Sequence, residues 1–152
     1  MITFLASYLV WVMFLGLGIL WLIDGRVKKE NVFHTLIATM FVWAACEMIK
    51  ALFPVARPFV TNGSLIKTAT LPLSATFPSI HSAVAFSMAT MIYLHDKKLG
   101  TVFILAAIGV ALGRVWANVH YPVDVLAGAV LGVVVSIGLE KFHVFKLIKK
   151  LS

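Results

Sequence analysis

Five apolar stretches, each about as long as a membrane is thick, constrain this chain more than any other feature. They run roughly from Ile2 to Ile23, Val32 to Phe53, Ser79 to Leu94, Leu99 to Ala117 and Val123 to Leu139. A hydrocarbon layer of about 30 Å takes a helix of roughly this length, the third span being short. Backbone inside lipid must pair its own polar groups, so only helices and closed barrels cross it. These spans are continuously apolar rather than alternating, which selects helices over a barrel. The expected fold is therefore all-α, a polytopic transmembrane bundle of about five spans. Composition agrees, because 12% of the residues are charged where a soluble domain carries about 25%. With 152 residues and no linker, repeat or low-complexity tract, a single membrane-embedded domain over 1–152 is expected.

A net charge of +7 raises nucleic acid as a partner, but the basic residues form short clusters between apolar spans, which suits membrane topology instead. Arg26, Lys28 and Lys29 follow the first span, Lys97 and Lys98 the third, and Lys141, Lys146, Lys149 and Lys150 the fifth. The positive-inside rule places these regions and the C-terminus in the cytoplasm. The N-terminus and the connections between spans two and three and between four and five then lie outside. The first span is too long for a signal-peptide core and has no basic residue before it, so it reads as an uncleaved helix. Cys46 is the only cysteine, which rules out an intrachain disulfide, says nothing of redox compartment, and reads as packing.

Alternation of the spans gathers polar residues on the outer face. Lys50 falls at the outer end of span two with Arg57 just beyond it, His81 at the start of span three, Arg114 near the end of span four, and His120 and Asp124 at the start of span five. Cations at such depth are costly to desolvate, and ionisable groups there face an interior cavity and serve a function. Pro78 and Pro122 stand where prolines start helices, which would aim two helix N-termini at the same region. Charges and dipoles together ask for a phosphate-like anion. His120 and Asp124 are four apart, a spacing at which a carboxylate can hold one imidazole nitrogen and leave the other as nucleophile. His81 is then placed as general acid. His34, His95 and His143 lie outside this cluster and read as packing or interfacial residues.

These residues resemble three motifs of the type 2 phosphatidic acid phosphatase (PAP2) family, all in the family's order between positions 50 and 124. Lys50 and Arg57-Pro58, separated by six residues, are similar to the first motif. Pro78-Ser79-Ile80-His81 resembles Pro-Ser-Gly-His, and Arg114, His120 and Asp124 resemble Ser-Arg-x5-His-x3-Asp. The resemblance implies that Lys50, Arg57 and Arg114, aided by Ser79, bind phosphoryl oxygens. It implies that His120 attacks phosphorus to give a phosphohistidine, that Asp124 orients it, and that His81 protonates the departing oxygen. Three cations would neutralise the spreading charge without a metal, and the chain has no carboxylate cluster suited to magnesium. No cofactor is expected; bis-histidine haem ligation by His81 and His120 fits poorly beside three cations. Ile80 stands where the family has glycine and needs room for its side chain. Gly113 stands where the family has serine, which removes a hydroxyl. The family core usually has six membrane helices, so five spans imply that one N-terminal helix is missing.

The remaining features are weaker. Gly109 with Gly113, and Gly128 with Gly132, form small-xxx-small pairs that permit close packing of helices within the chain, with dimerisation as the alternative. Glu47 is spaced to pair with Lys50. The connection from Phe59 to Phe77 ends in Leu71, Pro72 and Leu73 and reads as a surface loop, with guidance of a lipid headgroup as the alternative. Trp11, Trp21, Trp43, Trp116 and Tyr121 read as interfacial anchors where they fall near span ends. The function expected is a membrane lipid phosphatase of the cell membrane acting at its outer face, with undecaprenyl diphosphate as the substrate. Phosphatidic acid or phosphatidylglycerol phosphate is the second choice, and a non-catalytic phospholipid-binding or transport protein is the alternative from another class. The sequence leaves the oligomeric state open.

Overall fold

The computed structural model describes residues 1–23 and 29–142. Among these it is helical without strands. A π-helical turn, Phe4–Tyr8, leads into α1 (Leu9–Ile23); α2 is Lys29–Leu52, α3 Pro58–Asn62, α4 Ile80–His95, α5 Lys97–Trp116 and α6 Pro122–Phe142. With the π-helical turn joined to α1, five of these helices fall on the five expected spans, with ends displaced by at most a few residues. Arg26, Lys28, His143, Lys146, Lys149 and Lys150 lie outside the described residues.

Among the described residues four segments are long and apolar enough to cross a membrane: Phe4–Ile23, Lys29–Leu52, Lys97–Trp116 and Pro122–Lys141. Their outward faces expose Trp11, Met40, Leu105 and Val130, a surface that suits lipid rather than water. The protein is a multi-pass membrane bundle. The shorter α4, 16 residues long, is its centre and packs against α2, α5 and α6. Ala83, Ala85, Met88, Ala89 and Ile92 of α4 are fully enclosed.

Small residues bring the helices close. A Cβ added at Gly128 or Gly132 of α6 would lie 2.5 Å from the Ser79 carbonyl oxygen or 2.3 Å from that of Ala83, so these two glycines let α6 lie directly on the backbone of α4. Hydroxyls reinforce the same seam: Ser82 Oγ donates to the Val125 carbonyl at 2.7 Å, and Ser87 Oγ and Ser136 Oγ are 2.9 Å apart. The small-xxx-small pair in α6 thus serves contact within the chain. Cys46 is buried in the core, as expected for packing.

The connections set the polarity of the bundle. Asp96 alone joins α4 to α5, and its side chain accepts the Lys98 and Leu99 N–H groups at 2.9 Å each, an N-cap that satisfies two orphan donors. At that end of the bundle stand Lys29, Lys97, Lys98 and Lys141, opening α2 and α5 and closing α6. The other end carries the long connection 63–79 and the turn 117–121. Pro122 opens α6 as expected, whereas Pro78 lies outside α4. Ser79 caps that helix instead, its hydroxyl oxygen accepting the Ser82 N–H at 3.5 Å. The serine side chain supplies the cap acceptor that proline lacks.

Candidate active site

All seven residues singled out from the sequence lie at the end of the bundle opposite the lysine clusters. Lys50 sits in the last turn of α2, Arg57 at the N-cap of α3, Ser79 at the N-cap of α4, and His81 in the first turn of α4. Arg114 ends α5, His120 lies in the α5–α6 turn, and Asp124 is in the first turn of α6. Lys50, Arg57, Ser79, Arg114, His120 and Asp124 are buried, none more than 5% exposed. Three buried cations against one carboxylate leave positive charge that an anion would offset.

The cations are held differently. Lys50 Nζ donates to the Ala75 carbonyl, and Glu47, its expected partner, is exposed; a neighbouring backbone carbonyl takes the ammonium instead. Arg57 is tied into the loops, with Nε on the Ser74 carbonyl at 2.8 Å and one terminal nitrogen on the Val119 carbonyl at 2.9 Å. That nitrogen also lies 3.3 Å from His120 Nε2. Arg114 has one terminal nitrogen on the Ala6 carbonyl at 2.8 Å and the other 3.5 Å from His120 Nε2. Its Nε is buried with no hydrogen-bond partner among the described residues. Such a donor is costly to leave unpaired and suits an incoming oxyanion.

His120 is the centre of the arrangement. Two guanidinium nitrogens address Nε2, which marks it as the acceptor nitrogen of the ring. Nδ1 faces Asp124 Oδ2 at 3.5 Å and Thr76 Oγ1 at 3.1 Å. Oδ2 in turn accepts the Tyr121 N–H at 2.8 Å. Burial pushes the His120 imidazole down to about 4, with Arg114, Arg57 and Lys50 adding to the fall and the Asp124 hydrogen bond opposing it. The ring is neutral at pH 7, as a nucleophile requires. Burial likewise lowers the Arg57 guanidinium, and Asp124 counters it.

His81 is partly exposed and lies within electrostatic reach of Arg114, His120, Arg57 and Lys50. It also lines an apolar cavity of about 510 Å³ between α1, α2 and α4, together with Ile80. Ile80 finds its room there, with Trp11, Phe14, Met40 and Trp43 on the other walls. The Gly113 departure has an equally local cause, since a Cβ would lie 2.7 Å from Leu5 and Ala6 backbone atoms.

Thr76 was not among the residues singled out, although it is fully buried against both His120 and Asp124. Its signal is its place two residues before Pro78 in the second motif. The short α3 was also missed, though Pro58 at its start and Gly63 at φ 66° just after its end are the residues expected at such boundaries.

With this geometry in place, comparison with known proteins gives a consistent result. The family model for the PAP2 superfamily matches residues 30–147. The bacitracin transport permease protein BcrC of Bacillus licheniformis is 33% identical over 151 residues, 99% of this chain and 72% of that protein. The undecaprenyl-diphosphatase BcrC of Bacillus subtilis is 26% identical over 88% of this chain and 68% of its own length. Among solved structures, Aquifex aeolicus LpxE superposes with a TM-score of 0.73 at 28% identity, covering 86% of this chain and 77% of that one. The chain belongs to the PAP2 superfamily.

Proposed function

We propose that this membrane lipid phosphatase hydrolyses undecaprenyl diphosphate to undecaprenyl phosphate at the extracytoplasmic face, through a phosphohistidine on His120. The observation that carries the mechanism is the two-sided setting of the His120 ring. Nδ1 is held by Thr76 and Asp124, while Nε2 points at Arg57 and Arg114, the side chains best suited to grip a phosphoryl group. Similarity to an undecaprenyl-diphosphatase, 26% identical over 88% of the chain, supports the choice of lipid.

In the first step His120 Nε2 forms a bond to the terminal phosphorus as the bond from phosphorus to the bridging oxygen breaks, and His81 gives a proton to that oxygen. Arg114 and Arg57 neutralise the equatorial oxygens, with Lys50 and the Ser79 hydroxyl completing the cradle. In the second step water attacks the phosphohistidine, His81 takes its proton, and inorganic phosphate leaves. The outward orientation is supported by the lysines gathered at the opposite end of the bundle.

Phosphate release by the purified protein in detergent tests the assignment. Undecaprenyl diphosphate is expected to be turned over faster than phosphatidic acid or phosphatidylglycerol phosphate, with activity retained in chelator and abolished in His120→Ala. Faster turnover of a glycerophospholipid would overturn the substrate, and full activity in His120→Ala would overturn the nucleophile. The transport name carried by one relative favours a second reading, in which the same site binds the lipid without turnover; recovery of the diphosphate intact after prolonged incubation would establish it.

A further inference from the structure

The His120–Asp124 pair is looser than its spacing suggests, and the reason is a third side chain. Nδ1 of His120 and Oδ2 of Asp124 are 3.5 Å apart, longer than a normal N–H···O hydrogen bond. Thr76 Oγ1 stands 2.5 Å from Oδ2 and 3.1 Å from Nδ1. Both of its contacts are therefore shorter than the direct one.

A hydroxyl has a single proton to give. Three acceptors surround that of Thr76: Asp124 Oδ2 at 2.5 Å, the His120 ring nitrogen at 3.1 Å and the Val119 carbonyl at 3.4 Å. The carboxylate contact is the shortest and is charge-assisted, which makes it the strongest of the three. With its proton on Asp124, Thr76 Oγ1 meets Nδ1 as an acceptor, so Nδ1 must carry the ring proton. Nε2, addressed by guanidinium N–H groups of Arg57 and Arg114 at 3.3 and 3.5 Å, then keeps its lone pair. Both sides of the ring demand the same tautomer.

The geometry points to Thr76 as a positioning residue that fixes His120 in its Nδ1–H tautomer by bridging it to Asp124. The backbone holds Thr76 for this task. Its N–H donates to the Val55 carbonyl at 3.0 Å, and the carbonyls of the two residues before it, Ser74 and Ala75, accept from Arg57 and Lys50. The loop 74–76 is thereby fixed by the same cations that line the phosphate site, so charge placement and ring orientation share one support.

The inference rests on the phosphohistidine reading of the site, and three measurements separate the two. In Thr76→Val the hydroxyl is lost with volume nearly kept; kcat is expected to fall about tenfold to a hundredfold, the range for losing a hydrogen bond to a charged group, with KM changed less than about twofold. Thr76→Ser keeps the hydroxyl and is expected to stay within about threefold of the parent. Equal losses in both variants, or none in Thr76→Val, would overturn the bridge. Nitrogen NMR of the 15N-histidine-labelled parent, with His120 assigned by its absence from His120→Gln, reads the tautomer in the parent itself, without altering Thr76. A protonated Nδ1 and bare Nε2 at neutral pH are expected, and a protonated Nε2 would overturn the proposal. Quench trapping of the labelled enzyme is the control: no phosphoenzyme in the parent would sink the nucleophile reading, whereas undiminished trapping rate in Thr76→Val would sink only the role of Thr76.

Discussion

Arg114 and Ala6, 108 positions apart in the chain, meet at the active-site end of the bundle, where a guanidinium nitrogen donates to the Ala6 carbonyl at 2.8 Å. Ala6 lies in the π-helical turn Phe4–Tyr8, a distortion often found at functional sites. The first helix thus braces one of the two arginines that address His120. The approach depends on Gly113, whose neighbouring backbone at Leu5 and Ala6 leaves no room for a Cβ.

Gly113→Ser, although it restores the residue found in the family motif, is therefore expected to be harmful here. A side chain at that position must push the first helix away, at about 1–3 kcal/mol of stability for overpacking, and release Arg114 from its brace. Thermal unfolding in detergent should show a lower Tm, and kcat/KM should fall about tenfold or more. A variant as stable and active as the parent would contradict the close approach.

Ile80 and His81 are consecutive residues that share the wall of the apolar cavity. Shortening the side chain in Ile80→Ala removes apolar contact beside the reacting group while keeping the helix start intact. For a long-chain isoprenoid diphosphate, KM is expected to rise about threefold to tenfold, the value of about one to two methylenes of contact with the lipid chain. A short, soluble diphosphate should show no such change. Equal effects on both substrates would show that Ile80 acts on the phosphate site instead.

The two arginines should fail in different ways when changed to lysine. Arg57 bonds the Ser74 carbonyl and the buried Val119 carbonyl, so Arg57→Lys cuts both loop ties, leaves the Val119 acceptor without its guanidinium donor, and is expected to cost about 1–3 kcal/mol of stability as well as activity. Arg114 keeps Nε without a partner, and Arg114→Lys is expected to lose activity with a smaller fall in Tm. Unfolding curves and kcat/KM measured side by side decide this, and identical profiles would contradict it.

Acid inactivation carries the sign of the His120 shift. Protonation of Nε2 removes the attacking lone pair, so kcat/KM declines as pH falls through the free-enzyme value. Burial together with Arg114, Arg57 and Lys50 places that value at about 4, below the ordinary histidine range near about 6.5. The acid limb of the pH–rate profile is expected near pH 4, and Arg114→Gln should move it upward by removing a repelling cation. An acid limb at the ordinary histidine value would contradict the burial of the ring. Groups able to perturb this limb, His81 and Asp124, face the same ring from α4 and α6.

Much of this site is legible in sequence because its parts are charged residues in a chain otherwise poor in charge. Lys50, Arg57, Arg114 and Asp124 stand out against apolar surroundings, and alternation of the spans sends them to one end. Thr76 gives no such signal: a threonine in a polar loop is ordinary, and its contacts with His120 and Asp124 arise 44 and 48 positions away, after the loop has folded back. The hydrogen-bond acceptor of Lys50 is hidden for a related reason. Helical spacing favours Glu47, but the Ala75 carbonyl comes from a connection whose path no local pattern reveals. Glycine pairs in α5 and α6 were visible as close-packing signals, whereas the contact of Gly113 with the first helix needed the three-dimensional arrangement.

Rapid quenching during turnover tests the central claim most directly. Enzyme mixed with lipid diphosphate labelled in the terminal phosphate and quenched in alkali should carry an acid-labile, alkali-stable label on the peptide containing His120, formed and lost at rates that support kcat. The label should be absent from His120→Ala. Turnover at the normal rate with no labelled enzyme, or a label on His81 instead, would contradict the account.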